Sequence, residues 1–140
     1  MKNGSETFEH GADIGVRGIG RTLAEAFEHG AEVMFSLMVE NMEEVRPEKI
    51  VEISCESYDI EGLFTAWLNT LLAEADMHGM IFCRFKAEIR DNSLSGTASG
   101  EPVDPDRHRL GVEIKGATFT ELRVEQEDSG RWIAQCVVDV

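Results

Sequence analysis

The chain has 140 residues, 42% of them hydrophobic, which fits one domain with a packed core and excludes global disorder. No apolar run approaches the ~20 residues of a membrane span, and the polar start, residues 1–10, lacks the apolar stretch of a signal peptide, so a cytoplasmic protein without a membrane anchor is expected. With 27 acidic against 13 basic residues the net charge is −14, which repels phosphate backbones, so a basic partner or a cation is expected rather than a strong nucleic-acid groove.

Short strands are predicted around residues 7–9 and 14–17, flanking a loop at Gly11-Ala12-Asp13. Thr22 opens a helix, with Glu25 completing a capping box in which each side chain satisfies an orphan backbone N–H. Leu23, Phe27, Ala31, Met34, Phe35 and Met38 give that helix its apolar face. Val51, Ile53 and Cys55 alternate with Glu52, Ser54 and Glu56, as in a strand with one wet face. Asp59 caps a second helix that runs to about Ala75, and Gly79 suits its stop. A long strand follows, with Ile81 to Ile89 inward and Arg84, Lys86 and Arg90 on the other side. The turn Asp91-Asn92-Ser93 leads to its hairpin partner at 94–100. Pro102 and Pro105 make a rigid loop. Strands are then expected at 112–120, 122–127 and 132–140. The result is a single α+β domain over 1–140, with a mainly antiparallel sheet covered on one face by two amphipathic helices.

Cys55, Cys83 and Cys136 are odd in number and lack CxxC spacing, so core thiols are expected rather than a disulfide framework or zinc ribbon. Gly15, Gly20, Arg21 and Thr22 match the outline of a phosphate-binding loop, with Asp139 at the end of an apolar strand as a magnesium ligand. Two facts argue against it. Arginine does not replace the compact phosphate-binding lysine, and after Gly79 only strands follow, where a nucleotide fold needs parallel βαβ units.

Asp13 sits in the loop before a strand, and Asp139 closes an apolar strand beside Val140, whose carboxylate adds a third hard oxygen donor. Such ligands suit calcium, magnesium or manganese. Residue types alone leave open whether the two aspartates meet or simply cap a loop and a solvated end.

His10-Gly11-Ala12-Asp13-Ile14-Gly15 resembles the HTADIG motif of archeases, with Gly11 in place of the usual threonine. The likeness continues in order through Thr22-Leu23-Ala24-Glu25-Ala26-Phe27, Trp67-Leu68-Asn69-Thr70-Leu71-Leu72, Gly100-Glu101-Pro102-Val103-Asp104 with Arg107-His108, the run from Val112 to Phe119, and Val137-Val138-Asp139-Val140. The resemblance implies a divalent cation, usually calcium, held by Asp13, Asp139 and Val140. It also implies a non-catalytic accessory role for an RtcB-type RNA ligase, whose guanylylation and multiple turnover in tRNA splicing and RNA repair it promotes. A chaperone-like role toward a tRNA cytosine methyltransferase is the alternative within the family. A small metal-dependent hydrolase, using His10 or His108 as base, is the alternative outside it. His10 is a candidate to orient the Asp13 carboxylate through a ring N–H, or a packing histidine at the strand end. Glu101, Asp104, Arg107 and His108 form a polar loop suited to a metal or partner contact, or to salt bridges that hold the loop's own conformation.

Overall fold

A computed structural model describes residues 4–140; the first three residues of the polar start lie outside that range. The chain runs β1 (Ser5–His10), β2 (Asp13–Gly20), α1 (Leu23–Met38), a 3₁₀ turn (Met42–Glu44), β3 (Lys49–Glu56), α2 (Ile60–His78), β4 (Met80–Arg90), β5 (Ser93–Pro102), β6 (Gly116–Ala117), β7 (Arg123–Gln126) and β8 (Trp132–Asp139). This is the expected α+β domain. Its strands, however, divide between two antiparallel sheets. One has the order β1-β2-β8-β6, with β7 also on β8, and the other the order β3-β5-β4. Both helices touch strands of both sheets, so each sheet turns one face to the helices. No helix among the described residues is long and apolar enough to cross a membrane.

The helices begin where side chains satisfy orphan backbone donors. Thr22 Oγ1 accepts from the Glu25 N–H, while the Glu25 carboxylate reaches back to the Arg21 N–H rather than to the cap residue itself. Asp59 caps α2 by accepting from the Gly62 N–H. The second helix continues to His78, one turn past the predicted end, because Gly79 takes the left-handed conformation that closes it. Phe27, Phe35, Phe64, Trp67 and Phe82 are fully buried between the layers. The Trp67 indole N–H donates to the carbonyl of Phe27, which removes the cost of burying its polar edge.

The glycines of the phosphate-loop look-alike lie within β2, in an antiparallel ladder with β1 and β8. They serve packing. A Cβ at Gly18 would run into the Ala26 carbonyl oxygen and the Gly30 backbone, so α1 approaches β2 this closely only because Gly18 has none. Gly18→Ala is expected to destabilise by about 3 kcal/mol, the upper part of the overpacking range. Urea unfolding checks it, and an unchanged midpoint would contradict this packing.

Residues 112–120 do not form the long strand expected of them. Only Gly116–Ala117 pair as a strand with β8. The Phe119–Leu122 turn and the left-handed Glu121 (φ 54) interrupt the ladder before β7 resumes it. On the other side the chain leaves the sheet to bind the end of α1. There the Gly111 and Val112 N–H groups donate to Met38 and Leu37.

Of the three cysteines, all free, Cys136 is buried and Cys55 and Cys83 are half-buried. Burial pushes the Cys136 thiol up to about 12, which makes it inert as a nucleophile near neutrality.

Candidate functional site

Asp13 is placed by a hairpin. His10 and Asp13 are its closing pair, with Gly11 and Ala12 between them. Gly11 has a positive φ of 60° and Ala12 does not, the pattern of a type II′ turn with glycine at its first central position. The glycine is therefore a local requirement of this turn. Gly11→Thr, which restores the residue usual in the motif, puts a β-branched side chain in the left-handed region. It is expected to lower stability by about 1–2 kcal/mol. A thermal melt reads this directly, and an equal or higher midpoint would mean the turn is not the one described.

The ladder between β2 and β8 places Ile14 opposite Val138. One further step in that register sets Asp13 opposite Asp139, on the same face of the sheet. The Val140 N–H points to Asp13 Oδ1 at 3.5 Å, so the last residue folds toward the same corner. Asp139 is exposed, while Asp13 and Val140 are half-buried. Two acidic residues facing each other across neighbouring strands are mutually repulsive.

Further contacts fix this corner. The Lys115 N–H donates to the Asp139 carbonyl at 2.8 Å. Asn69, on the exposed side of α2, holds Ala117 at both ends of its peptide unit: its Oδ1 accepts from the Ala117 N–H at 2.8 Å, and its Nδ2 donates to the Ala117 carbonyl at 3.1 Å. Sequence reasoning missed Asn69 as a positioning residue. The one available signal was a polar side chain with both a donor and an acceptor amid the apolar run of α2.

Glu101, Asp104, Arg107 and His108 come together in a second cluster. Glu101 and His108 are buried. One Glu101 oxygen accepts from the Arg107 guanidinium; the other accepts from the Arg46 N–H at 2.9 Å and faces His108 Nε2 at 3.0 Å. The Asp104 N–H donates to His108 Nδ1, so the ring proton sits on Nε2 and points at Glu101. Arg107 also ion-pairs with Asp104 and donates to the Glu44 carbonyl. Asn41 bonds the backbone of Arg107 and Arg109. The Arg107 hydrogen bond, with help from Arg46 and His108, holds the Glu101 carboxyl down at about 2 against the opposing pull of burial. Every polar group in this cluster faces another member or the backbone, so it acts as a clasp between the loop after β5 and the end of α1.

No hydrogen bond or ion pair joins this clasp to the Asp13 corner among the described residues. His10 stands exposed at the hairpin end, with no hydrogen bond to Asp13 there. Among the described residues no group of three or more His, Cys, Asp or Glu side chains is arranged to hold a metal ion. The corner offers two aspartates and the last residue.

The model of the archease protein family matches residues 6–140. The chain belongs to the archease family. It is 40% identical to the archease of Thermococcus kodakarensis and 38% identical to that of Pyrococcus furiosus, in each case over 96% of this chain and 97% of the relative. The solution structure of a Methanobacterium thermoautotrophicum protein superposes with a TM-score of 0.81 at 29% identity, covering 99% of this chain and all of that one. A Thermotoga maritima crystal structure, described as an archease and possible chaperone, shares the fold at a TM-score of 0.63 and 20% identity, over 100% of this chain and 98% of its own. Archeases as distant in source as these thus share one architecture with this chain.

Proposed function

We propose that this archease is a non-catalytic accessory protein of an RtcB-type RNA ligase, acting in tRNA splicing and RNA repair through a divalent cation held at the Asp13 corner. The observation that carries the reading is the register of β2 on β8, which brings Asp13 and Asp139 face to face with Val140 folded toward them. The donor set fits the cation. Two aspartate carboxylates and a main-chain oxygen of Val140 are hard oxygen ligands that suit calcium, with magnesium or manganese as substitutes. When bound, the ion would supply positive charge that relieves the repulsion among these groups and an open coordination position toward a partner.

Family membership supports the ligase as partner. The histidines named as candidate bases fit a hydrolase poorly: His108 is buried and committed to Glu101, and His10 makes no bond to either aspartate among the described residues. The acidic balance of the chain suits a basic face on the ligase. A chaperone-like action on a tRNA cytosine methyltransferase is the second reading, resting on the family alone.

Transfer of labelled GMP from GTP to the ligase tests the proposal. Wild-type protein should raise the guanylylated fraction at least tenfold at limiting time, and Asp139→Ala, still folded, should not. Equal stimulation by both proteins would remove the Asp13 corner from the function.

A further inference from the structure

An open groove of about 800 Å³ runs between the second half of α2 and the extended segment 110–115. Leu72 and Ala73 form one wall, Val112 and Ile114 the other, and Met80 lies between them. Leu110 and Val112 are 56% and 38% exposed, unusual for aliphatic side chains this close together.

The segment is held at both ends and open in the middle. Gly111 and Val112 are tied to the end of α1, and Lys115 is tied to Asp139. Between them the exposed Glu113 offers a backbone N–H and C=O that find no hydrogen-bond partner among the described residues, while Ile114 is buried. Extended backbone with unused donors and acceptors beside apolar pockets is the arrangement that recruits an added strand. Main-chain bonds would hold such a strand, and its alternate side chains would enter the groove.

Charge selects the kind of strand. Asp76 stands on the helix wall and Glu113 on the segment wall, both exposed and neither ion-paired among the described residues. Among the described residues Lys115 is the one cation lining the groove. Past it lies Asp139. We infer that the groove takes an extended segment of a partner protein in which apolar and basic residues alternate, paired by its backbone to Glu113. The reading above enters only in naming the protein that supplies the segment. Through Lys115, a segment seated here would bring its owner directly beside the Asp13 corner.

Backbone-amide NMR of the whole protein, titrated with short synthetic peptides, tests this. One peptide alternates valine with arginine and the other valine with glutamate. The arginine peptide should shift the amides of Glu113, Ile114, Ala73 and Asp76, and the glutamate peptide should not. Ala73→Arg places bulk and positive charge at an exposed helical position inside the groove. It should weaken the arginine peptide at least about tenfold, a change of about 1.4 kcal/mol. Glu52→Gln makes a charge change of the same size on the exposed side of β3 and should leave the affinity within about twofold. Equal response to both peptides, shifts confined to other surfaces, or equal weakening by the two variants would overturn the inference. No ligase is present in the titration, so its failure and the failure of the accessory reading are separate results.

Discussion

Glu101→Ala should cost the protein about 2–4 kcal/mol of folding stability, the largest loss expected of any single polar substitution here. The carboxylate accepts from the Arg107 guanidinium, the Arg46 N–H and His108. Its removal leaves His108 Nε2 without an acceptor in a fully buried position. Breaking a buried charge pair commonly costs about 3–5 kcal/mol. The Arg107 side chain is 30% exposed, and water can take over part of its hydrogen bonding, which lowers the expectation.

The clasp also sets an acid limit. The Glu101 carboxyl lies near 2 in the folded protein against 4.5 for an ordinary glutamate, so the unfolded chain binds the proton more tightly. Its contribution to stability is therefore complete above about pH 4.5 and is lost as pH falls toward 2. Urea unfolding across that window should show a steeper loss for wild type than for Glu101→Gln, which cannot titrate there. Parallel pH profiles would mean that Arg107 and His108 do not depend on this carboxylate.

The second large effect concerns the opposed aspartates. Calcium at a hundredfold excess over its dissociation constant should stabilise the wild-type protein by about 2.7 kcal/mol. For a domain of this size that is a rise in Tm of roughly 8–12 °C. Asp139→Asn should abolish the rise. The same substitution should leave the metal-free protein as stable as wild type, or more stable by about 0.2–1 kcal/mol, because it removes one of two like charges facing across the strands. These opposite signs separate a metal site from a merely structural aspartate, whose loss would lower Tm with or without calcium. A calcium-dependent rise that persists in Asp139→Asn would place the ion elsewhere.

Much of this was legible in the sequence because short-range signals and long-range packing agree. Thr22 and Asp59 cap the helices they were expected to cap, and the alternation of β3, β4 and β5 appears as one face against the helices. The division into two sheets was not legible. Alternation shows which face of a strand is wet, while pairing partners depend on contacts far apart in the chain. Residues 112–120 were misread for a related reason. Their pattern suits a strand, but apart from the pairing around Gly116–Ala117 the segment's hydrogen bonds go to the end of α1 and to Asn69 rather than along one ladder.

The candidate site divides in the same way. Asp13 and Asp139 stood out as residue types at loop and strand ends, yet only the β2–β8 register puts them opposite each other. Glu101, Asp104, Arg107 and His108 were read either as a metal or partner contact or as a salt-bridged loop holding its own conformation. Their sequence could not show that Glu101 turns inward to meet Arg107, His108 and Arg46, which makes the cluster a clasp. The groove beside α2 had no signature of its own, since it arises where the segment after Leu110 leaves the sheet.

Multiple-turnover ligation is the most direct test of the central claim, that the Asp13 corner lets this archease sustain an RNA ligase. The assay combines the cognate RtcB-type ligase, GTP, manganese and a broken tRNA stem with wild-type protein or Asp139→Ala, each left free of any tag after Val140. Many turnovers are expected with wild type, and a return to the rate of the ligase alone with the variant. Equal acceleration by the two proteins, or none by wild type with an active ligase, would contradict it.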